Sequence, residues 1–207
     1  MHLFVYLHGF KSSPNSNKAQ LTKAAIEQRI QAGESINWYC PQLPASPREA
    51  MQMVKDHIHG QTFSHLSLMG SSLGGFYATY LAELFDSKVS LLNPAIEPAR
   101  DLEKYIGEQK SWHQEEAFHF LPEYIEELQE IYVEKITQAE RYFLLAAKGD
   151  EVLDWREMVA KYPNAHQLIL EGGDHAISDY PNYLNQLMQF HFRSLAPVTS
   201  LTHLKPT

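Results

Sequence analysis

Apolar residues along the chain gather into short, nearly unbroken runs separated by stretches of helical period. Leu3-Phe4-Val5-Tyr6-Leu7, Val89-Ser90-Leu91-Leu92 and Tyr142-Phe143-Leu144-Leu145-Ala146-Ala147 hold almost no polar position. That is the pattern of strands covered on both faces, not of strands with one face in water. Together with β-rich runs elsewhere they predict six strands, at about 2–7, 36–40, 65–70, 88–92, 140–147 and 166–170. Helical periodicity falls between them, at about 17–32, 47–59, 73–86, 152–161 and 180–193. Alternation of this kind predicts an α/β fold, with a mostly parallel six-stranded sheet and crossover helices on both faces. Ser16 and Ser46 stand where the first two helices need N-caps, and Pro47 suits a first helical turn.

One segment breaks the rhythm. Residues 94–137 show no convincing strand, interleave aromatic residues with charge, and read as a short helical cap inserted into a single domain spanning 1–193. This segment holds 11 acidic and 4 basic residues, so most of the formal net charge of −8 sits there. Glu123, Glu126, Glu127, Glu130 and Glu134 read as the solvated face of an amphipathic helix whose apolar side carries Ile125, Leu128 and Ile131. Residues 194–207, with Pro197 and Pro206 and little periodicity, read as a loosely held tail.

With 25 acidic against 17 basic side chains and no basic stripe, the composition disfavours a nucleic-acid partner. The apolar start at Leu3–Leu7 is too short for a membrane span and lacks a basic leader. Cys40 is the single cysteine, so no intrachain disulfide forms, and a cytoplasmic location is the expectation.

Chemistry enters at Gly70-Ser71-Ser72-Leu73-Gly74, a Gly-x-Ser-x-Gly pattern lying between a predicted strand and a predicted helix. A sharp strand-to-helix turn that exposes a serine needs glycines two before and two after it, which makes Ser72 the central residue. Ser71 would need glycine where the chain has Met69 and Leu73. A serine hydroxyl needs a base and a group that orients the base. Asp150 and His175 each follow a predicted strand's carboxyl end, where distant residues of a parallel sheet converge. Asp154 is the rival acid, but it falls in or near the following helix; Asp174 suits loop amides and Asp179 a helix cap. An oxyanion formed on a carbonyl would need amide donors, and Leu73 with Phe10, after the turn at Gly9, are the candidates. His8 reads as structural, and His57 with His59 as exposed residues, with no ligand set to complete a metal site. A phosphate-binding reading of the Gly70–Gly75 turn fits poorly, because Phe76 stands where a P-loop places lysine.

Taken together, Tyr6-Leu7-His8-Gly9-Phe10 with Ser12-Ser13-Pro14, the run from Gly70 to Ala78, Asn93-Pro94-Ala95, Gly149 to Leu153 and Gly172-Gly173-Asp174-His175 carry a resemblance. The chain resembles the small bacterial esterases of the YqiA type within the α/β-hydrolase superfamily, over nearly everything from Tyr6 to Phe192. The resemblance implies hydrolysis of a small-molecule acyl ester, or of a thioester such as acyl-CoA, without metal or organic cofactor. It carries the nucleophile onto Ser72, the acid onto Asp150 and the base onto His175. Lys11 departs from the small polar residue expected beside the oxyanion loop, which bears on the entrance and leaves the triad intact. Acyl transfer with the same residues, and a non-catalytic binding protein on a hydrolase scaffold, stay open as alternatives.

Overall fold

The computed structural model describes residues 1–110 and 117–192. Along these residues the chain runs β1 (His2–Leu7), α1 (Asn17–Gln31), β2 (Ile36–Tyr39), α2 (Pro47–His59), β3 (His65–Ser71), α3 (Leu73–Phe85), β4 (Lys88–Leu92), α4 (Pro98–Leu102), β5 (Gly107–Lys110), β6 (Ala117–Phe120), α5 (Glu123–Glu130), β7 (Tyr142–Ala147), α6 (Trp155–Lys161), β8 (His166–Leu170) and α7 (Pro181–Phe192). Six strands form one sheet in the order β2-β1-β3-β4-β7-β8, and every neighbouring pair is parallel.

The two-residue period of the strands sorts their side chains between two cores. Leu3, Val5 and Leu7 point to one side with Val89, Leu91, Tyr142, Leu144 and Ala146; Phe4 and Tyr6 point to the other with Met69, Phe143 and Leu145. The first side is covered by Ala50, Met51, Val54 and Ile58 of α2, by Tyr77, Ala78, Leu81 and Ala82 of α3, and by Met158 of α6. The second is covered by Ala19 and Ile26 of α1 and Leu187 and Met188 of α7. Both faces are dry, so alternation between polar and apolar residues would be penalised, and the continuous apolar runs follow. Each Leu or Phe so buried contributes about 1.5–3 kcal/mol.

Local chemistry sets the helix starts unevenly. Ser46 caps α2 through its side chain, which accepts from Glu49 N. Ser16 occupies the N-cap position of α1, but its side chain makes no cap bond there. Asp154 caps α6 by accepting from Arg156 N, so α6 begins at Trp155, three residues later than the periodicity predicts. Asp179 accepts from the Tyr183 phenol instead of serving as a side-chain cap. Among the described residues, no helix is long and apolar enough to cross a membrane.

The segment 94–137 departs from expectation in two ways. Beside the helices α4 and α5 it holds an antiparallel ribbon, β5 paired with β6 from Gly107↔Phe120 to Lys110↔Ala117. These strands are four residues each, Gly-Glu-Gln-Lys with no apolar side chain and Ala-Phe-His-Phe, too short for a period to reveal them. Glu127 is buried, unlike the exposed Glu123, Glu126, Glu130 and Glu134. It accepts from Ser46 Oγ at 2.6 Å, Arg48 N at 3.1 Å and Arg48 Nη1 at 3.0 Å, which ties α5 to the start of α2. The expected tail, 194–207, lies outside the described residues.

Register decides what meets at the sheet's carboxyl edge. Leu7 pairs with Gly70, Ser71 with Leu92, Leu92 with Leu145, and Ala147 with Leu170. The loops leaving β1, β3, β4, β7 and β8 therefore emerge side by side, as the binding crevice of an open parallel sheet requires.

Candidate active site

Between the end of β3 at Ser71 and the start of α3 at Leu73, one residue makes the turn. Ser72 does so at φ 55°, ψ −122°, a left-handed backbone that a non-glycine residue adopts at a cost of about 1–3 kcal/mol. The surroundings hold it there: Ser72 N donates to Leu92 O at 3.0 Å, and Ser72 O accepts from Gly75 N and Ala95 N. Both flanking glycines are sterically required. A Cβ on Gly70 would lie 2.1 Å from Gly74 O, and one on Gly74 would lie 2.0 Å from Leu7 O. The first turn of α3 is thus pressed onto the ends of β1 and β3.

The strained turn aims Ser72 Oγ at the loop after β8, where His175 Nε2 lies 3.1 Å away. On the ring's other side Nδ1 lies 2.8 Å from Asp150 Oδ2. The Asp150 side chain is wholly buried, and its second oxygen accepts from Val152 N and Leu153 N, both at 2.8 Å. Those bonds leave the carboxylate one orientation, facing the imidazole. Asp154, the rival acid, is spent on its cap. Asp174 accepts from Ser178 N and Oγ, the loop role expected of it.

The loop after β1 packs against the same serine. A Cβ on Gly9 would lie 3.1 Å from Ser72 Cβ, so this glycine permits the approach. His8 Nε2 accepts from Leu43 N at 3.1 Å and Nδ1 faces Gly9 O at 3.0 Å, which fits a neutral, buried, structural ring. Phe10 carries the loop on toward the β5–β6 ribbon, its ring 5.9 Å from that of Phe118 and 5.3 Å from that of Phe120. The first-turn amides of α3, Leu73 among them, have no carbonyl partner inside the helix, and the positive end of the helix dipole lies beside Ser72.

Two cavities flank this loop. One, of about 270 Å³, runs past Leu73, Tyr77, Leu43, Pro44 and Phe118. The other, of about 420 Å³, contains Ser72 and His175 together with Ser16, Asn17, Lys18 and Ser178. Lys11, at φ 61°, sits at the mouth of the first with its ammonium 5.5 Å from the Tyr105 ring centroid. Burial pushes Lys18 down to about 8, against the opposing influence of Asp174 and Asp150. His57 stacks on Tyr39, and no cluster of three or more metal-ligating side chains occurs among the described residues.

Two positioning residues escape sequence reasoning. Asn93, fully buried at φ 43°, donates from Nδ2 to Asp174 O at 3.0 Å and His175 O at 3.2 Å, while Oδ1 accepts from Ala147 N at 2.8 Å. It joins the exit of β4 to the end of β7 and to the His175 loop. Glu151 accepts from His175 N at 2.9 Å and holds the loop from the other side. An asparagine before proline at a strand end favours a turn, but nothing local announces its left-handed φ or names its partners.

Comparison with known proteins agrees with this architecture. The chain is similar to a protein of Agrobacterium vitis S4, with 19% identity, a TM-score of 0.69, and 92% of this chain and 88% of that one covered. It is similar also to Est1E from Butyrivibrio proteoclasticus, solved with ferulic acid bound, at 15% identity, TM-score 0.67 and coverage of 92% and 89%. A third is the monoacylglycerol lipase of Paleococcus ferrophilus, at 16% identity, TM-score 0.60 and coverage of 91% and 94%. At such identities the likeness establishes the fold, that of the α/β hydrolases. The family described as Uncharacterised protein family (UPF0227) matches residues 3–192. By that match, which spans nearly all of the described chain, the protein belongs to the YqiA-like family UPF0227.

Proposed function

We propose that the protein is a serine esterase that hydrolyses carboxylic acyl esters, acyl thioesters included, through Ser72, His175, Asp150 and an acyl-enzyme intermediate. One observation carries this reading: Ser72 Oγ, His175 and Asp150 are joined by hydrogen bonds of 3.1 and 2.8 Å at a strained strand-to-helix turn. As Oγ attacks the acyl carbon, its proton passes to Nε2, while Nδ1–H remains donated to Asp150 and fixes the tautomer. The negative charge that develops on the carbonyl oxygen is met by the amides of Phe10 and Leu73 and by the helix N-terminus behind them. The imidazolium then gives its proton to the departing oxygen or sulfur as the bond to the acyl carbon breaks. Water, losing a proton to the same ring, attacks the acyl-enzyme, and the ring returns that proton to Ser72 Oγ as its bond to the acyl carbon breaks and the acid leaves.

Because Nε2 must reach the departing atom, the leaving group lies on the His175 side, in the cavity that Lys18 and Ser178 line. The acyl group then enters the cavity past Leu73, Tyr77 and Phe118. In this reading residues 94–137 act as a cap over the acyl cavity of a single domain. Proteins of similar fold solved as an esterase with ferulic acid and as a monoacylglycerol lipase support ester chemistry. A fluorophosphonate probe should label Ser72, and Ser72→Ala should lower hydrolysis of 4-nitrophenyl butyrate by at least about 10³-fold without altering the far-UV spectrum. Undiminished hydrolysis by the folded variant would remove the assignment.

A further inference from the structure

The cavity beside His175 carries a charge opposite to that of the protein. The chain has a formal net charge of −8. Yet among the described residues no carboxylate lines this cavity, whose polar wall is Ser16, Asn17, Lys18 and Ser178. Lys18 rises from the first turn of α1 and bonds Ala176 O at 2.5 Å, next to the residue that faces Ser72. An ammonium has three donors. Among the described residues the Ala176 carbonyl is the one group that Lys18 bonds, and no carboxylate stands within ion-pair distance. A half-buried cation with donors to spare, placed on the side where the departing group must lie, is a recognition element for negative charge.

We propose that Lys18 selects substrates whose leaving group bears a carboxylate or phosphate, by pairing with that anion while the ester carbonyl rests at Ser72. The inference rests on the esterase reading and deepens it by naming a substrate class. Acyl chains alone would not require a cation here, because the acyl cavity lies on the other side of the Gly9–Phe10 loop. The charged groups acting on Lys18 are Asp174 from the loop after β8 and Asp150 from the loop after β7, and His175 shares the cavity. Burial outweighs both carboxylates and lowers Lys18 to about 8, so the ammonium is charged at neutral pH and neutral above that point.

The test uses aryl butyrates whose leaving groups do or do not carry an anion, each compared between parent and variant so that the phenols' own reactivity cancels. The leaving groups are 4-hydroxybenzoate for the carboxylate, 3-hydroxyphenyl phosphate for the phosphate, and methyl 4-hydroxybenzoate as the neutral reference. For each, kcat and KM are measured with the full chain, with Lys18→Met and with Lys18→Arg. Lys18→Met should lower the anionic-to-neutral ratio of kcat/KM by roughly tenfold, the size of one charged hydrogen bond, and chiefly through KM. Lys18→Arg should restore most of that ratio. In the unsubstituted protein the ratio should fall as pH rises past about 8, and in Lys18→Arg it should not. Whichever anionic ester shows the larger ratio tells carboxylate from phosphate. An equal loss on charged and neutral esters would overturn the proposal, because Lys18 would then only prop the Ala176 carbonyl. A ratio in the unsubstituted protein no higher than in Lys18→Met overturns it while leaving the esterase reading intact. Failure to hydrolyse any ester, with no labelling of Ser72, removes both.

Discussion

Replacing Asn93 should expose how the site is held together. Its side chain is fully buried and serves three backbone groups: Ala147 N, Asp174 O and His175 O. Asn93→Ala leaves the buried Ala147 N and the part-buried His175 O without a partner, at about 1–3 kcal/mol for each, while Asp174 O keeps its bond from Ile177 N. Alanine must also hold φ 43°, a left-handed conformation that asparagine tolerates and that costs other L-residues about 1–2 kcal/mol. Taking the low end throughout, the loss is about 3 kcal/mol, a large part of the ~5–15 kcal/mol that stabilises an ordinary domain. Asn93→Gly separates the terms. It orphans the same groups but accepts the left-handed turn, so it should be more stable than the alanine variant by about 1 kcal/mol. Stability is read from urea unfolding followed by far-UV circular dichroism. Function is read in the fraction that stays folded, as the rate of fluorophosphonate labelling. With the His175 loop untied from β4, a displacement near 1 Å should slow labelling by about 100-fold. An alanine variant within 1 kcal/mol of the parent, labelled within about threefold of its rate, would refute the idea that Asn93 positions His175.

Three further outcomes follow from the same geometry. Gly74→Ala puts a Cβ 2.0 Å from Leu7 O, a backbone atom with no flexible end to yield; about 3 kcal/mol or more should be lost, and Gly172→Ala, with nothing within 4 Å, should lose under about 1 kcal/mol in the same urea assay. Glu127→Ala removes three acceptor contacts that join α5 to α2 and should cost about 2–4 kcal/mol, with Glu127→Gln recovering part because it keeps one acceptor oxygen; equal losses in the two variants would contradict the account. His191, buried and bonded to Ser90 Oγ, is held far below its ordinary value by burial first, then by His2 and Lys88. Its unfolded form gains a proton near pH 6.5 and its folded form does not, so stability is fully present above about 6.5 and falls as the pH drops. By pH 5 the loss from this residue should reach about 2 kcal/mol, and His191→Asn should flatten the fall in urea midpoint between pH 7 and 5.

What the sequence disclosed divides along a physical line. A strand buried on both faces must be apolar at every position, so β1, β4 and β7 are visible in their composition; the edge strand β2, with all four residues only half-buried, still shows through Ile36, Trp38 and Tyr39. The elbow is equally legible, because the steric demand on Gly70 and Gly74 comes from atoms within the motif and at the end of β1, and no other residue satisfies it. Asp150 and His175 are legible only once the sheet is assumed parallel, since the register, not local sequence, brings their loops to one edge.

The features that stayed hidden are those in which a polar side chain serves a partner far away in sequence. Glu127 lies on a helix whose other glutamates face water, and by period it belongs with them; its burial depends on Ser46 and Arg48, some 80 positions earlier. Asn93 has the look of an ordinary turn residue, yet its amide spans three loops. Lys18 carries no local signal at all, and only the fold shows that it lines the cavity beside Ser72. Each of these pairings is cheap to lose from the pattern and expensive to lose from the protein, because an unpaired polar group in a dry site costs its full desolvation. The proposed nucleophile and base are therefore found by motif, whereas the residues that hold them in place, and the cation proposed to set selectivity, are found through contacts between elements. The Asn93 and Lys18 variants test those two properties separately, one through the labelling rate and the other through a ratio of substrates.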